Sequence, residues 1–153
     1  MQITRAGEYG VLGLINLARR EPERMAMIEE ISQAEKIPAS FLAKIFQSLA
    51  RAGLVRSVRG AKGGFVMTRR PEEISVLEII EAIEGRIALQ RCLGDNPTDC
   101  SHLGECALCG IFEQAQEGVK SVLGKTTLRN LIDQQEQIDQ RRTGAGVVAG
   151  VLN

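Results

Sequence analysis

Apolar residues recur at three- and four-residue intervals over six stretches of this chain, the spacing of amphipathic helices. The first runs from Thr4, a residue suited to capping, to about Arg19, with Tyr9, Leu12, Ile15 and Ala18 near one face. After a short extended piece at residues 25–27, IEEISQAEK forms the second, with Ile28 and Ile31 inward, and Ile37 and Pro38 turn the chain. The third, FLAKIFQSLARA, is capped by Ser40 and directs Leu42, Ile45, Phe46 and Leu49 inward; Gly53 is suited to its left-handed close. Ser75 and Glu78 form a capping box ahead of VLEIIEAIEG, which Gly85 ends. A long helix from about Leu108 carries Ile111, Phe112, Ala115, Val119, Val122 and Leu123, and TTLRNLIDQQEQI makes a short sixth helix. Only LVRSV and FVMT, on either side of RGAKGG, read as strands, paired as a hairpin. The closing RRTGAGVVAGVLN reads as a disordered tail.

This order predicts a mainly α fold: a winged helix-turn-helix with a two-stranded hairpin over residues 1–84, then a cysteine-rich loop at 85–107. A long helix for dimerisation and a short terminal helix fill 108–140, and 141–153 is the tail. Aromatic residues make up 3% of the chain and tryptophan is absent, so aliphatic helix packing must supply the core. No apolar run approaches the roughly 20 residues that span a bilayer, and the start has no signal-peptide core. The expected location is the cytoplasm.

A net charge of zero conceals a division. Residues 1–70 hold twelve Lys and Arg against six Glu, and residues 71–153 hold seven against thirteen acids. From 36 to 70 there are eight basic residues and no acid. Such a field suits a polyanion, and double-stranded DNA is the expected partner. On the third helix the outward positions are Ser40, Ala43, Lys44, Gln47 and Arg51. Lys44 and Arg51 suit phosphates, while Ser40, Lys44 and Gln47 suit base edges. Arg59 and Lys62 stand at the hairpin tip, where glycines allow close approach to DNA and an arginine suits a narrow minor groove. Neither RGAKGG nor GKTT at 124–127 is a phosphate-binding P-loop. The first lacks a Ser or Thr after the lysine, and the second has Val119 where glycine is needed.

All four cysteines and the only histidine lie in RCLGDNPTDCSHLGECALCG, with Cys92, Cys100, Cys106 and Cys109 in the spacing C-x7-C-x5-C-x2-C. A reducing compartment disfavours disulfides. Zinc usually uses two short chelating pairs, and only Cys106 and Cys109 form one; a larger iron–sulfur cluster tolerates wider spacing. Spacing alone leaves cluster and zinc level. His102 reads as a loop side chain, and no base-and-nucleophile partnership marks an enzyme.

Taken together, MQITRAGEYG, the helix from Ser40, LVRSVRGAKGGF, ISVLEIIEAIEG and the cysteine loop resemble the Rrf2 family of bacterial winged-helix transcription regulators, over about residues 1–140. The resemblance implies a homodimer on pseudo-palindromic operator DNA that senses through an iron–sulfur cluster, either [2Fe-2S] or [4Fe-4S]. Cys92, Cys100 and Cys106 match the family's cluster thiolates. Cys109 stands where one branch of the family has a histidine ligand. Glu8 stands where another branch takes a carboxylate from the partner subunit, although a first-turn carboxylate also suits the helix dipole. Ala43 occupies a reading-face position that carries an acid in one branch, so that branch's operator preference is not carried over. Two further readings stay open: a regulator with structural zinc or no metal that answers a thiol or metabolite signal, and an electron-transfer protein.

Overall fold

The structure, a computed structural model, describes residues 3–21, 24–95, 101, 102 and 104–150, with side chains as far as Gly144. Six helices and one hairpin follow in the order α1 (Arg5–Ala18), α2 (Ile28–Glu35), α3 (Ala39–Arg51), β1 (Val55–Val58), β2 (Gly64–Met67), α4 (Val76–Glu84), α5 (Ala107–Lys125) and α6 (Leu128–Gly150). Short 3-10 turns occupy Pro71–Glu73 and Arg91–Leu93. The mainly helical winged helix-turn-helix expected from the sequence is the fold found. Among the described residues no helix is long and apolar enough to cross a membrane.

Aliphatic packing builds the core as the composition requires. Leu14, Ile31, Leu42, Phe46, Leu49, Leu54, Ile74 and Ile79 are fully buried, and Phe46 meets Phe65 edge to face at 5.2 Å. α1 runs through the middle of this core, but its inward face differs from the expected Tyr9, Leu12, Ile15 and Ala18. Ile15 is buried, while Tyr9, Leu12 and Ala18 are only half-buried. The packed line is instead Gly7, Gly10, Gly13, Leu14 and Leu17. The missing side chains let neighbours close in. A Cβ on Gly10 would fall 2.2 Å from Ile83 Cδ1, and one on Gly13 would fall 2.7 Å from Phe46 Cε2.

Caps account for most helix boundaries. Thr4 accepts from the Ala6 amide at 3.2 Å, and Ser75 accepts from the Glu78 amide at 3.1 Å. The reciprocal half of the expected capping box is absent, because Glu78 pairs with Arg69 at 2.5 Å instead. α3 begins at Ala39 with Pro38 as its cap residue, so Ser40 lies inside the first turn and is not the cap. Proline's fixed φ is pre-set for such an entry. Lys36 and Gly53 take positive φ where α2 and α3 end.

α5 leaves the core and α6 returns to it. The turn between them is tied to the start of α4 by two main-chain bonds, Val76 N to Thr126 O and Leu128 N to Ile74 O, both 2.8 Å. Thr127 and Asn130 cap α6 reciprocally, at 2.9 and 3.2 Å, and Leu128 and Ile132 are buried. α6 then continues to Gly150. The sequence pattern gives a short sixth helix and a tail from 141, whereas α6 is helical as far as Gly150, with Thr143 Oγ1 donating to Asp139 O at 3.0 Å. Residues 151–153 lie outside the described residues. The sequence pattern stops earlier because Gly144, Gly146 and Gly150 are weak helix formers and Thr143 breaks the run of strong ones.

Candidate nucleic-acid interface and thiol centre

α3 divides as its periodicity requires. Leu42, Ile45, Phe46 and Leu49 are buried, and Ser40, Lys44, Gln47 and Arg51 are exposed, with Ala43 half-buried between them. The helix therefore offers one continuous polar face, on which Arg51 Nη2 is steadied by Ser48 Oγ at 3.0 Å.

The hairpin stands beside it. β1 and β2 pair antiparallel from Val55 with Met67 to Val58 with Gly64. The tip-side end of β2 is stitched to the segment before α2, where Ala26 and Phe65 exchange main-chain bonds of 2.9 and 3.0 Å. Gly64 is needed for that approach, since a Cβ there would sit 2.3 Å from the Ala26 carbonyl oxygen. At the tip, Gly60 takes φ +133° and the Gly63 amide donates to Gly60 O at 2.9 Å. Arg59 and Lys62 are both exposed on this turn. Among the described residues Lys44, Arg59 and Lys62 make no ion pair, so their charges are available to a partner.

The return strand leads into an anchored segment. Arg69 donates to Glu78 at 2.5 Å and to the Glu73 carbonyl, and Arg70 pairs with Glu73 at 3.1 Å. Glu72 pairs with Arg129 of α6 at 2.8 Å. The Arg129 hydrogen bond holds the Glu72 carboxyl below the usual carboxylate range, and Arg70 does the same to Glu73.

Three of the four cysteines can be placed. Cys92 lies in the Arg91–Leu93 turn, Cys106 is the cap residue of α5, and Cys109 follows in its first turn. All three are half-buried, and Cys92 Sγ stands 3.7 Å from Cys109 Sγ. Cys106, His102, Leu108 and Phe112 join this pair around a recess of about 90 Å³. His102 is exposed but reaches its edge, which the loop reading did not anticipate. Cys100 lies outside the described residues, and among those described no three His, Cys, Asp or Glu side chains converge as a metal-holding group. Glu8 is exposed in the first turn of α1 and does not line the recess.

Two anchors of the surrounding chain were not found from the sequence. Gln116, 5% exposed on α5, accepts from the Leu89 amide at 3.0 Å and holds the segment leading to Cys92. Glu84 Oε1 accepts from the Thr4 amide and hydroxyl, both at 2.8 Å, and from the Gly7 amide at 3.2 Å, closing the helix that carries Glu8.

Known proteins share this arrangement. Residues 3–134 match the family model Rrf2, described as an iron-dependent transcriptional regulator. The HTH-type transcriptional regulator IscR of Xenorhabdus nematophila is 31% identical over 139 residues, covering 91% of this chain and 84% of that protein. The solved structure of CymR (YrzC), the global cysteine regulator of B. subtilis, is similar with a TM-score of 0.72 and 31% identity, covering 88% of this chain and 98% of that one. T. potens IscR follows at a TM-score of 0.71 and 25% identity, covering 90% of each chain. These relatives are transcriptional regulators and not enzymes. With the family match spanning nearly the whole described chain, this protein belongs to the Rrf2 family of transcriptional regulators.

Proposed function

We propose that this chain is a homodimeric regulator that reads double-stranded operator DNA through α3 and the hairpin and takes its signal from an iron–sulfur cluster. Cys92, Cys100 and Cys106 hold the cluster in this reading, with Cys109 rather than Glu8 as the fourth ligand. One observation carries that choice, the 3.7 Å between Cys92 Sγ and Cys109 Sγ. Two thiolates on one tetrahedral metal ion, with metal–sulfur bonds of about 2.3 Å, stand about 3.8 Å apart. The pair therefore already has the separation of two thiolates on one metal ion, as on an iron of a [2Fe-2S] cluster or at zinc; each iron of a [4Fe-4S] cluster takes a single thiolate. When bound, the cluster supplies a centre sensitive to iron supply, oxidants and nitric oxide. The chain supplies the thiolates, a recess partly lined by Leu108 and Phe112, and a helix that starts at Cys106 and leads away from the site.

The dimer rests on α5. Of its 19 residues only Gln116 is buried, and Leu108, Ile111 and Val122 are 60%, 64% and 65% exposed. An apolar stripe of this kind favours a partner, and a second copy is the partner that gives an operator reader two heads.

Anaerobically purified protein is expected to be brown, with iron and sulfide in stoichiometric amounts. Cys109→Ala should bleach it or make it labile, and Glu8→Gln should leave the colour intact. Colourless protein overturns the cluster, and colour lost only in the Glu8 variant overturns the ligand choice. The likeness to the cysteine regulator CymR favours a second reading, in which the same thiols, with zinc or without metal, answer a thiol or metabolite signal. Colourless protein whose DNA affinity changes on adding cysteine would establish it.

A further inference from the structure

The basic face contains an acid that the linear charge map places elsewhere. Between α3 and the hairpin lies a shallow recess of about 410 Å³, with Ser40 and Ala43 on one wall and Ser57, Gly63 and Gly64 on the other. Glu29 lines it too, from the first turn of α2. This residue lies outside the acid-free stretch 36–70 and is brought beside it by the fold.

The other two acids of α2 are engaged. Glu30 accepts from the Met27 amide at 2.9 Å and pairs with Arg20 at 3.4 Å, and Glu35 accepts from Asn16 Nδ2 at 2.8 Å. Glu29 is exposed, and its carboxylate has neither a hydrogen bond nor an ion pair among the described residues. Some helix-dipole benefit comes from its place near the start of α2, but that benefit does not require it to face this recess.

The recess has a definite meaning if α3 enters the major groove and the hairpin tip meets the minor groove. Those two grooves are separated by one sugar–phosphate strand, so that strand must cross the space between α3 and the hairpin. The first helix of a helix-turn-helix also crosses the backbone. Glu29 then faces phosphate.

We propose that Glu29 is a repulsive element in the DNA-reading face, lowering affinity for duplex of any sequence. Its carboxylate opposes the strand that Lys44, Arg59 and Lys62 attract. Like charges in apposition lower binding without reading a base, and specificity is a difference of affinities that such an element helps to keep. A signal that changes operator affinity acts more effectively on a reader that general attraction does not hold down. This inference rests on the DNA-reading assignment of α3 and the hairpin.

The test uses the full chain and two labelled 30-base-pair duplexes of unrelated sequence, one A·T-rich and one G·C-rich, with binding followed by anisotropy across a KCl series. Glu29→Gln is expected to bind both duplexes about threefold to tenfold more tightly at low salt, with a salt dependence steeper by up to about one counterion. Glu29→Asp should bind like the unaltered protein. Glu21→Gln, an equal charge change at an exposed residue just after α1, should shift affinity less than twofold. Unchanged affinity in Glu29→Gln, weaker binding, or a gain on one duplex only would each overturn the proposal. If the unaltered protein binds neither duplex in a salt-dependent way, the DNA-reading assignment itself falls and this inference falls with it.

Discussion

Glu84 caps a helix that begins eighty residues before it: its Oε1 accepts from the Thr4 amide and from the Thr4 hydroxyl, both at 2.8 Å. The same oxygen accepts from the Gly7 amide at 3.2 Å, so three donors at the start of α1 depend on one carboxylate. Thr4 meets only the Ala6 amide by itself. Glu84→Ala should cost about 1–2 kcal/mol, the range of a missing cap with amides left unpaired. A lower denaturant midpoint at unchanged m-value would show it. Glu84→Gln keeps an acceptor oxygen and should lose less.

Glycine-to-alanine changes should have opposite signs at two helical positions. On Gly13 a methyl would meet Phe46 at 2.7 Å and Leu42 Cδ1 at 3.3 Å, and both of those side chains are fully buried. Overpacking of this kind costs about 1–3 kcal/mol, more than alanine's helix preference of about 1 kcal/mol returns. Gly144 on α6 has nothing within 4 Å. Alanine there should raise helicity by circular dichroism without lowering the melting temperature.

Lys44→Ala and Arg59→Ala should weaken binding to duplex DNA and leave stability unchanged, because neither side chain makes an ion pair among the described residues. Removing one cation that neutralises a phosphate should reduce the slope of log affinity against log salt by about one. Weaker binding with an unchanged slope would mean that the residue touches a base edge alone.

Acid should loosen the attachment of α6. Glu72 is held low by the Arg129 hydrogen bond, and Asp139 is held low first by Gln135 and then by Arg19 at 3.0 Å. A carboxyl with a depressed folded-state pKa contributes stability above its unfolded pKa, and that contribution is lost as pH falls through the folded value. Melting temperature should therefore fall below the ordinary carboxylate range, and α6 should become protease-sensitive there. Arg129→Ala should flatten the Glu72 part of this dependence. All of these pairs are surface-exposed, so high salt should have a similar but weaker effect.

How much was legible in the sequence depended on whether a residue announces itself locally. The inward face of α3 was readable because Leu42, Ile45, Phe46 and Leu49 carry both size and period. The hairpin was readable because RGAKGG interrupts two β-branched runs. α1 misled because Gly7, Gly10 and Gly13 define its packed line through absent atoms, which no hydrophobicity pattern registers. Their three-residue spacing was the signal available. Ser40 looks like a cap because its hydroxyl is the usual capping group, whereas Pro38 sets the entry earlier. Glu84 and Gln116 reach groups 80 and 27 positions away, and only the folded chain brings them to those partners, as it brings Glu29 to the recess beside α3. The clustering of the cysteines was plain in the sequence, but the closeness of Cys92 and Cys109 was not, because seventeen positions separate them.

The bonds that fix α5 also decide how it can move. Its far end is tied to α4 through Thr126 and Leu128, and its middle is latched by Gln116 to Leu89. Only the two turns that carry Cys106 and Cys109 project beyond those fixings. A disturbance at the thiols therefore meets a cantilever, built in at its base and touched at its tip by Cys92 of the Arg91–Leu93 turn. It will flex the tip before it turns the beam, and amide exchange should quicken first in residues 107–112 while Leu128 stays protected.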